Sequence, residues 1–116
     1  MRIFDVGDLP DRVIGAFGSS GFTLGHIGDG VHAIVIRLDA GGRIGRHPAV
    51  RSQLLVPVSG RASVAGSDDT APVDIGPGQA VAWDQGESHE TTTDAGLTAV
   101  ILEGDEIAAV GAGISG

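Results

Sequence analysis

Almost every apolar stretch in this chain is short, β-branched and fenced by Gly, Pro or Asp, a pattern that builds strands rather than helices. Val31 to Leu38 alternates: His32, Ile34, Ile36 and Leu38 share one face, and Val31, Ala33, Val35 and Arg37 the other. Arg37 prefers water, so the face bearing His32 is expected inside. Asp39-Ala40-Gly41-Gly42 then breaks the strand. Gln53 to Val58 forms the next strand, closed by Ser59-Gly60, with Arg61 to Ala65 expected as its hairpin partner. Val73 to Ile75, Ala80 to Trp83, His89 to Thr93 and Leu97 to Leu102 supply further strands. Turns at Gly76-Pro77-Gly78, Asp84 to Glu87 and Asp94-Ala95-Gly96 separate them. Strands at this spacing, with no helix between them, predict an all-β sandwich or barrel.

The two ends are less regular. Phe17 and Phe22, in Gly/Ser-rich sequence, predict an extra strand laid on a barrel face or on a neighbouring subunit. Glu103 to Val110 is expected to form a short closing helix, followed by a loose tail. The expected division is an N-terminal extension over 1–30, a barrel over 31–103 and a tail over 104–116.

A chain of 116 residues builds one core and one small pocket. Seven arginines and no lysine face fifteen acids, for a formal charge of −8, and that field repels nucleic acid and anionic membranes. The absence of cysteine excludes disulfides, thiolate metal sites and cysteine nucleophiles. No apolar run reaches the length of a membrane span, and Met1 to Asp5 lack the order of a signal peptide. A cytosolic protein is expected.

Two glycine-framed segments carry one histidine each. The first reads Gly41, five residues, His47, Pro48, Ala49, three residues, Gln53, six residues, Gly60. The second reads Gly78, five residues, Asp84, Gln85, Gly86, two residues, His89, three residues, Thr93. These spacings resemble the paired motifs of the cupin superfamily, G-x5-H-x-H-x3-E-x6-G and G-x5-P-x-G-x2-H-x3-N. Ala49 stands where the motif has its second histidine, and Gln53 where it has glutamate. More narrowly, Gly45 to Ala49 with Gln53, then Trp83-Asp84 and Glu87 to Glu90, resemble small bacterial single-domain cupin-2 proteins. The resemblance covers Val31 to Glu103.

That resemblance implies a double-stranded β-helix, or jelly roll, with a small-molecule ligand and a second copy in a homodimer as its partners. It also implies that His47, Gln53 and His89 surround one point, with Ala49 contributing nothing. Three histidines and a carboxylate suit Fe, Mn, Ni, Cu or Zn. Two imidazoles and a neutral amide hold a divalent ion more weakly, with open positions for a chelating substrate. The other reading makes His47 and His89 buried polar residues bonded to each other, to Gln53 or to water.

Around that point, Trp83, Leu55 and Arg51 are expected to line the pocket, although core packing is the commoner use of a lone tryptophan. Arg43, Arg46 and Arg51 offer an anion-attracting rim, with solvated loop arginines as the alternative. Glu87 is placed to orient His89 from the turn, whereas Glu90 faces away from it. His32 is expected at the opposite mouth, and His26 at the surface. The chain has no tyrosine, which sets aside the epimerase chemistry of the superfamily, and no phosphate loop or nucleophile elbow.

The expected function is binding of a small polar or carboxylated metabolite, with His47 and His89 as the catalytic candidates of a metal-assisted isomerase or oxygenase. Metal-free proton transfer by a histidine base is the other enzymatic route. The alternative is a non-catalytic ligand-binding, sensing or accessory cupin without native metal.

Overall fold

The structure is a computed structural model and describes residues 1–5, 8, 11–13, 23–25, 30–67, 71–105 and 107. Eleven strands follow one another: β1 Arg2–Asp5, β2 Asp11–Val13, β3 Thr23–Gly25, β4 His32–Leu38, β5 Arg43–Pro48, β6 Gln53–Gly60, β7 Ala62–Ala65, β8 Val73–Ile75, β9 Gln79–Trp83, β10 Ser88–Thr92 and β11 Leu97–Glu103. A five-stranded antiparallel sheet has the order β1-β9-β6-β11-β4, and a four-stranded one the order β5-β10-β7-β8. Strands β2 and β3 pair only with each other. The expected strand around Phe17 and Phe22, the surface placement of His26 and most of the expected closing helix lie outside the described residues. Glu103 itself ends β11 rather than starting a helix.

Alternation decides which side chains meet. Leu55, Val81, Trp83, Ala99 and Ile101 from the larger sheet pack with Ala62, Val64 and Ile75 from the smaller one. Ile36 and Leu38 join them with Arg37 turned outward, but His32 and Ile34 on the same face are exposed, so only the second half of β4 meets the expectation of an interior face. The intervening positions Leu54, Ala80 and Ala82 point the other way, where Phe4 and Ile107 bury them. Each large aliphatic side chain taken out of water here contributes roughly 1.5–3 kcal/mol before entropy is counted.

The expected hairpin between Gln53–Val58 and Arg61–Ala65 does not form. Strand β6 pairs with β9 and β11, whereas β7 pairs with β8 and β10 in the other sheet. Gly60, at φ +82°, carries the chain across. A Cβ there would collide with the Gly96 carbonyl, so the crossing depends on the bare backbone.

Strand β5 is the element that its sequence conceals. Its register against β10 slips between His89 and Thr91, which face His47 and Ile44 respectively. This bulge at Gly45 and Arg46 resets the alternation. Ile44 packs on the core, His47 meets His89, and Arg46 between them bonds to Glu90.

Candidate functional site

The two motif segments are stitched together by backbone. Ala49 donates its N–H to the Glu87 carbonyl at 3.0 Å, and Gly86 donates to the Ala49 carbonyl at 2.8 Å. Ala49 is 2% exposed, so the position that lost its imidazole clamps one motif to the other. The Glu87 carboxylate pins the same turn, accepting from the N–H groups of Asp84 at 3.0 Å and Ser67 at 3.3 Å and from the Met1 amine at 3.3 Å. A turn held at this many points fixes the entry to β10.

His89 follows two residues later and is 3% exposed. Its ring stacks on Trp83, with centroids 4.4 Å apart and planes at 29°. Trp83 is itself fixed, since its Nε1–H donates to the Ala65 carbonyl at 3.1 Å. His47, exposed on β5, lies on the other side of His89 with ring centroids again 4.4 Å apart. His47 Nδ1 lies 2.7 Å from the Gly45 carbonyl, and His89 Nδ1 lies 3.1 Å from the Glu87 carbonyl. A carbonyl only accepts, so each Nδ1 must carry the proton and donate it. A neutral ring so bonded keeps its lone pair on Nε2, the tautomer that a metal or a substrate proton needs.

Burial, the largest cause, pushes the His89 pKa below the ordinary 6.5. The bond to the Glu87 carbonyl opposes this and the charge of His47 adds to it; of the smaller effects, the Glu87 charge raises the pKa and Arg46 lowers it. His89 is a neutral acceptor at pH 7.

Gln53 is 6% exposed and stands beside Trp83 in the sheet. Its amide donates to Glu103 Oε1 at 3.0 Å rather than to either imidazole. Glu103 is the residue that sequence reasoning missed. Its signal was the inward alternation of Leu97, Ala99 and Ile101, which continues to 103. His32 is the cross-strand partner of Glu103, so it lies at this end of the sheet and not at the opposite mouth.

The other expected pocket residues separate. Leu55 is sealed in the core at 1% exposure. Arg51 is exposed, 3.8 Å from Asp105, and Arg46 pairs with Glu90 at 3.3 Å. Two of the three expected rim arginines are thus paired with acids, whereas Arg43 is in no ion pair among the described residues. Glu87 orients His89 through its carbonyl, not its carboxylate.

The resemblance of the two motifs implies a metal, and the donors present test that implication. Two rings sharing one ion at about 2.1 Å place their centroids roughly 4.5–5 Å apart, close to the spacing here. The remaining donors fall short, because Ala49 has none and Gln53 is turned toward Glu103. Among the described residues no three His, Asp or Glu side chains converge on one point. This set does not fit an ion that the protein holds alone.

No family model matches the chain, and no curated protein sequence does. Solved structures do match. An RmlC-like cupin with a double-stranded β-helix from Methanocaldococcus jannaschii gives a TM-score of 0.60 at 15% identity, covering 69% of this chain and 74% of that one. A conserved Streptococcus pyogenes protein of unknown function gives 0.58 at 20% identity, over 63% of this chain and 62% of that one. DMSP lyase DddQ from Ruegeria pomeroyi gives 0.59 at 28% identity, over 67% of this chain but only 40% of the lyase.

Proposed function

From a chain with the cupin double-stranded β-helix fold, we propose a small-molecule binding protein whose ligand is received by His47 and His89. One observation carries the reading. Each imidazole spends its Nδ1–H on a backbone carbonyl two residues upstream, which leaves Nε2 as the acceptor on two neutral rings whose centroids are 4.4 Å apart. Such a pair takes a hydroxyl or amine hydrogen from a polar metabolite. The chemistry open to it is proton abstraction, with His89 as the base, because burial keeps that ring neutral and able to accept.

Catalysis and simple binding share this geometry. The likeness to a lyase speaks for the fold and not for the reaction. The altered positions Ala49 and Gln53 favour metal-free binding or proton transfer over a metal-dependent oxygenase. No step here runs through an ion.

The test is a metabolite screen read by imidazole ¹⁵N and Trp83 indole resonances. A true ligand shifts His47, His89 and Trp83 together, and His47→Gln or His89→Gln removes the response. Hits that bind without moving those signals, or that survive both substitutions, would defeat the reading.

A further inference from the structure

Across the larger sheet one row at this end runs in register: the exposed His32 opposite Glu103, Glu103 opposite Gln53, and Gln53 opposite Trp83. Strands stand about 4.8 Å apart, so Glu103 sits roughly 10 Å from Trp83 along this row, measured between Cα atoms. His89 covers Trp83 from the smaller sheet. The carboxylate expected at position 53 is therefore present one strand further on, and the buried Gln53 amide holds one of its oxygens.

Resting on the ligand-binding reading above, we infer that Glu103 is the specificity-determining residue of the site and that it selects a small cationic ligand, an amine carrying a further hydrogen-bond donor. Three observations carry this. First, the groups of the site are rich in acceptors: the Glu103 carboxylate and, in their neutral form, the two imidazole Nε2 atoms. A carboxylated metabolite is repelled by Glu103, whereas a cationic donor complements it. Second, Glu103 has no ion-pair partner among the described residues, its side chain being held by the Gln53 amide alone. A half-buried carboxylate without a cation leaves the charge for a ligand to complement. Third, the net charge of −8 draws cations toward the surface and repels anions. Gln53 is a positioning residue, acting only through the oxygen it holds.

Three four-carbon probes separate the chemistries: 4-amino-1-butanol, its neutral counterpart 1,4-butanediol, and butanoate. Binding to the full chain is followed by Trp83 fluorescence and by the His47 and His89 ¹⁵N resonances. The expected result is that the amino alcohol binds at least about tenfold tighter than the diol, and butanoate weakest, since charge-assisted bonds are about twice as strong as neutral ones. Glu103→Gln keeps an oxygen for the Gln53 amide and should erase the preference, bringing the amino alcohol down to the affinity of the diol. Equal affinities for amine and diol, or a preference that survives E103Q, overturn the role of Glu103 while the imidazole pair still binds. If no probe moves either imidazole, the ligand-binding reading falls and the inference with it.

Discussion

The indole of Trp83 and the imidazole of His89 lie stacked, 4.4 Å between centroids and 29° between planes, and both are almost wholly buried. The only tryptophan is thus a built-in reporter of the site. As His89 gains a proton, the imidazolium should quench Trp83 emission, with a midpoint below pH 6.5 because burial disfavours the charged ring. His89→Gln should flatten that titration. An unchanged titration in the variant would break the link between these two residues.

The same shift has a consequence for stability. The unfolded chain takes up the His89 proton at its ordinary 6.5, and the folded one only at lower pH. The unfolded state therefore binds more protons between those two values, and stability rises with pH across that window. The His89 contribution is fully present above about pH 6.5, declines as pH falls below it, and levels off beneath the folded pKa. Urea midpoints of the wild type and His89→Gln, compared from pH 8 to pH 5, should converge or cross toward acid. Parallel curves would contradict it.

Most of this fold was legible in the sequence because its strands alternate and its turns carry glycine. Val73 to Ile75 is a strand with those bounds, and β6, β9, β10 and β11 lie within two residues of their expected limits. Strand β5 was not legible, since the bulge at Gly45 and Arg46 erases the period of two and Arg-Ile-Gly-Arg-His-Pro reads as a loop. Sheet membership was also hidden: a Ser-Gly turn looks the same whether the chain folds back or crosses over. At the site, the motif brought His47 and His89 together in the sequence reading, and their rings do meet. Gln53 turns away for a reason outside either motif, because its partner Glu103 lies on a strand fifty residues later.

The crossover at Gly60 predicts a large effect from a small change. Gly60→Ala must adopt φ +82° and press its methyl group into the Gly96 backbone. A loss of about 3 kcal/mol in denaturant unfolding is expected, from left-handed strain plus overpacking. Gly78→Ala, at φ +94° but with open space around it, should cost about 1 kcal/mol. Equal losses at the two sites would show that the contact with Gly96 contributes nothing.

Arg46 sits within the first motif yet reaches Glu90, with both side chains substantially exposed. Exposed pairs of this kind contribute at most about 1 kcal/mol. Arg46→Ala should lower stability by no more than that and leave the weak butanoate affinity within about twofold. A strong further loss of butanoate binding would restore the anion-rim reading.

Gln53 and Glu103 invite an exchange of roles. Gln53→Glu alone sets a second carboxylate where the amide now donates at 3.0 Å, replacing a hydrogen bond with like-charge repulsion. A loss of about 1–3 kcal/mol at pH 7 is expected, easing in acid as the two groups share a proton. Glu103→Gln alone should cost less, since an amide oxygen still accepts from Gln53. The double substitution Q53E/E103Q rebuilds the amide–carboxylate bond with its polarity reversed, so its stability should return to within about 1 kcal/mol of the wild type. It also puts the carboxylate back at the motif position, on the strand position beside Trp83 and nearer the two Nε2 atoms. Nickel binding by calorimetry should then tighten by at least about tenfold over Glu103→Gln, because an anionic oxygen joins the imidazole pair. If the double variant stays as unstable as Gln53→Glu, the two side chains are not coupled as a pair. If its nickel affinity does not rise, position 53 does not face the imidazoles closely enough to share an ion with them.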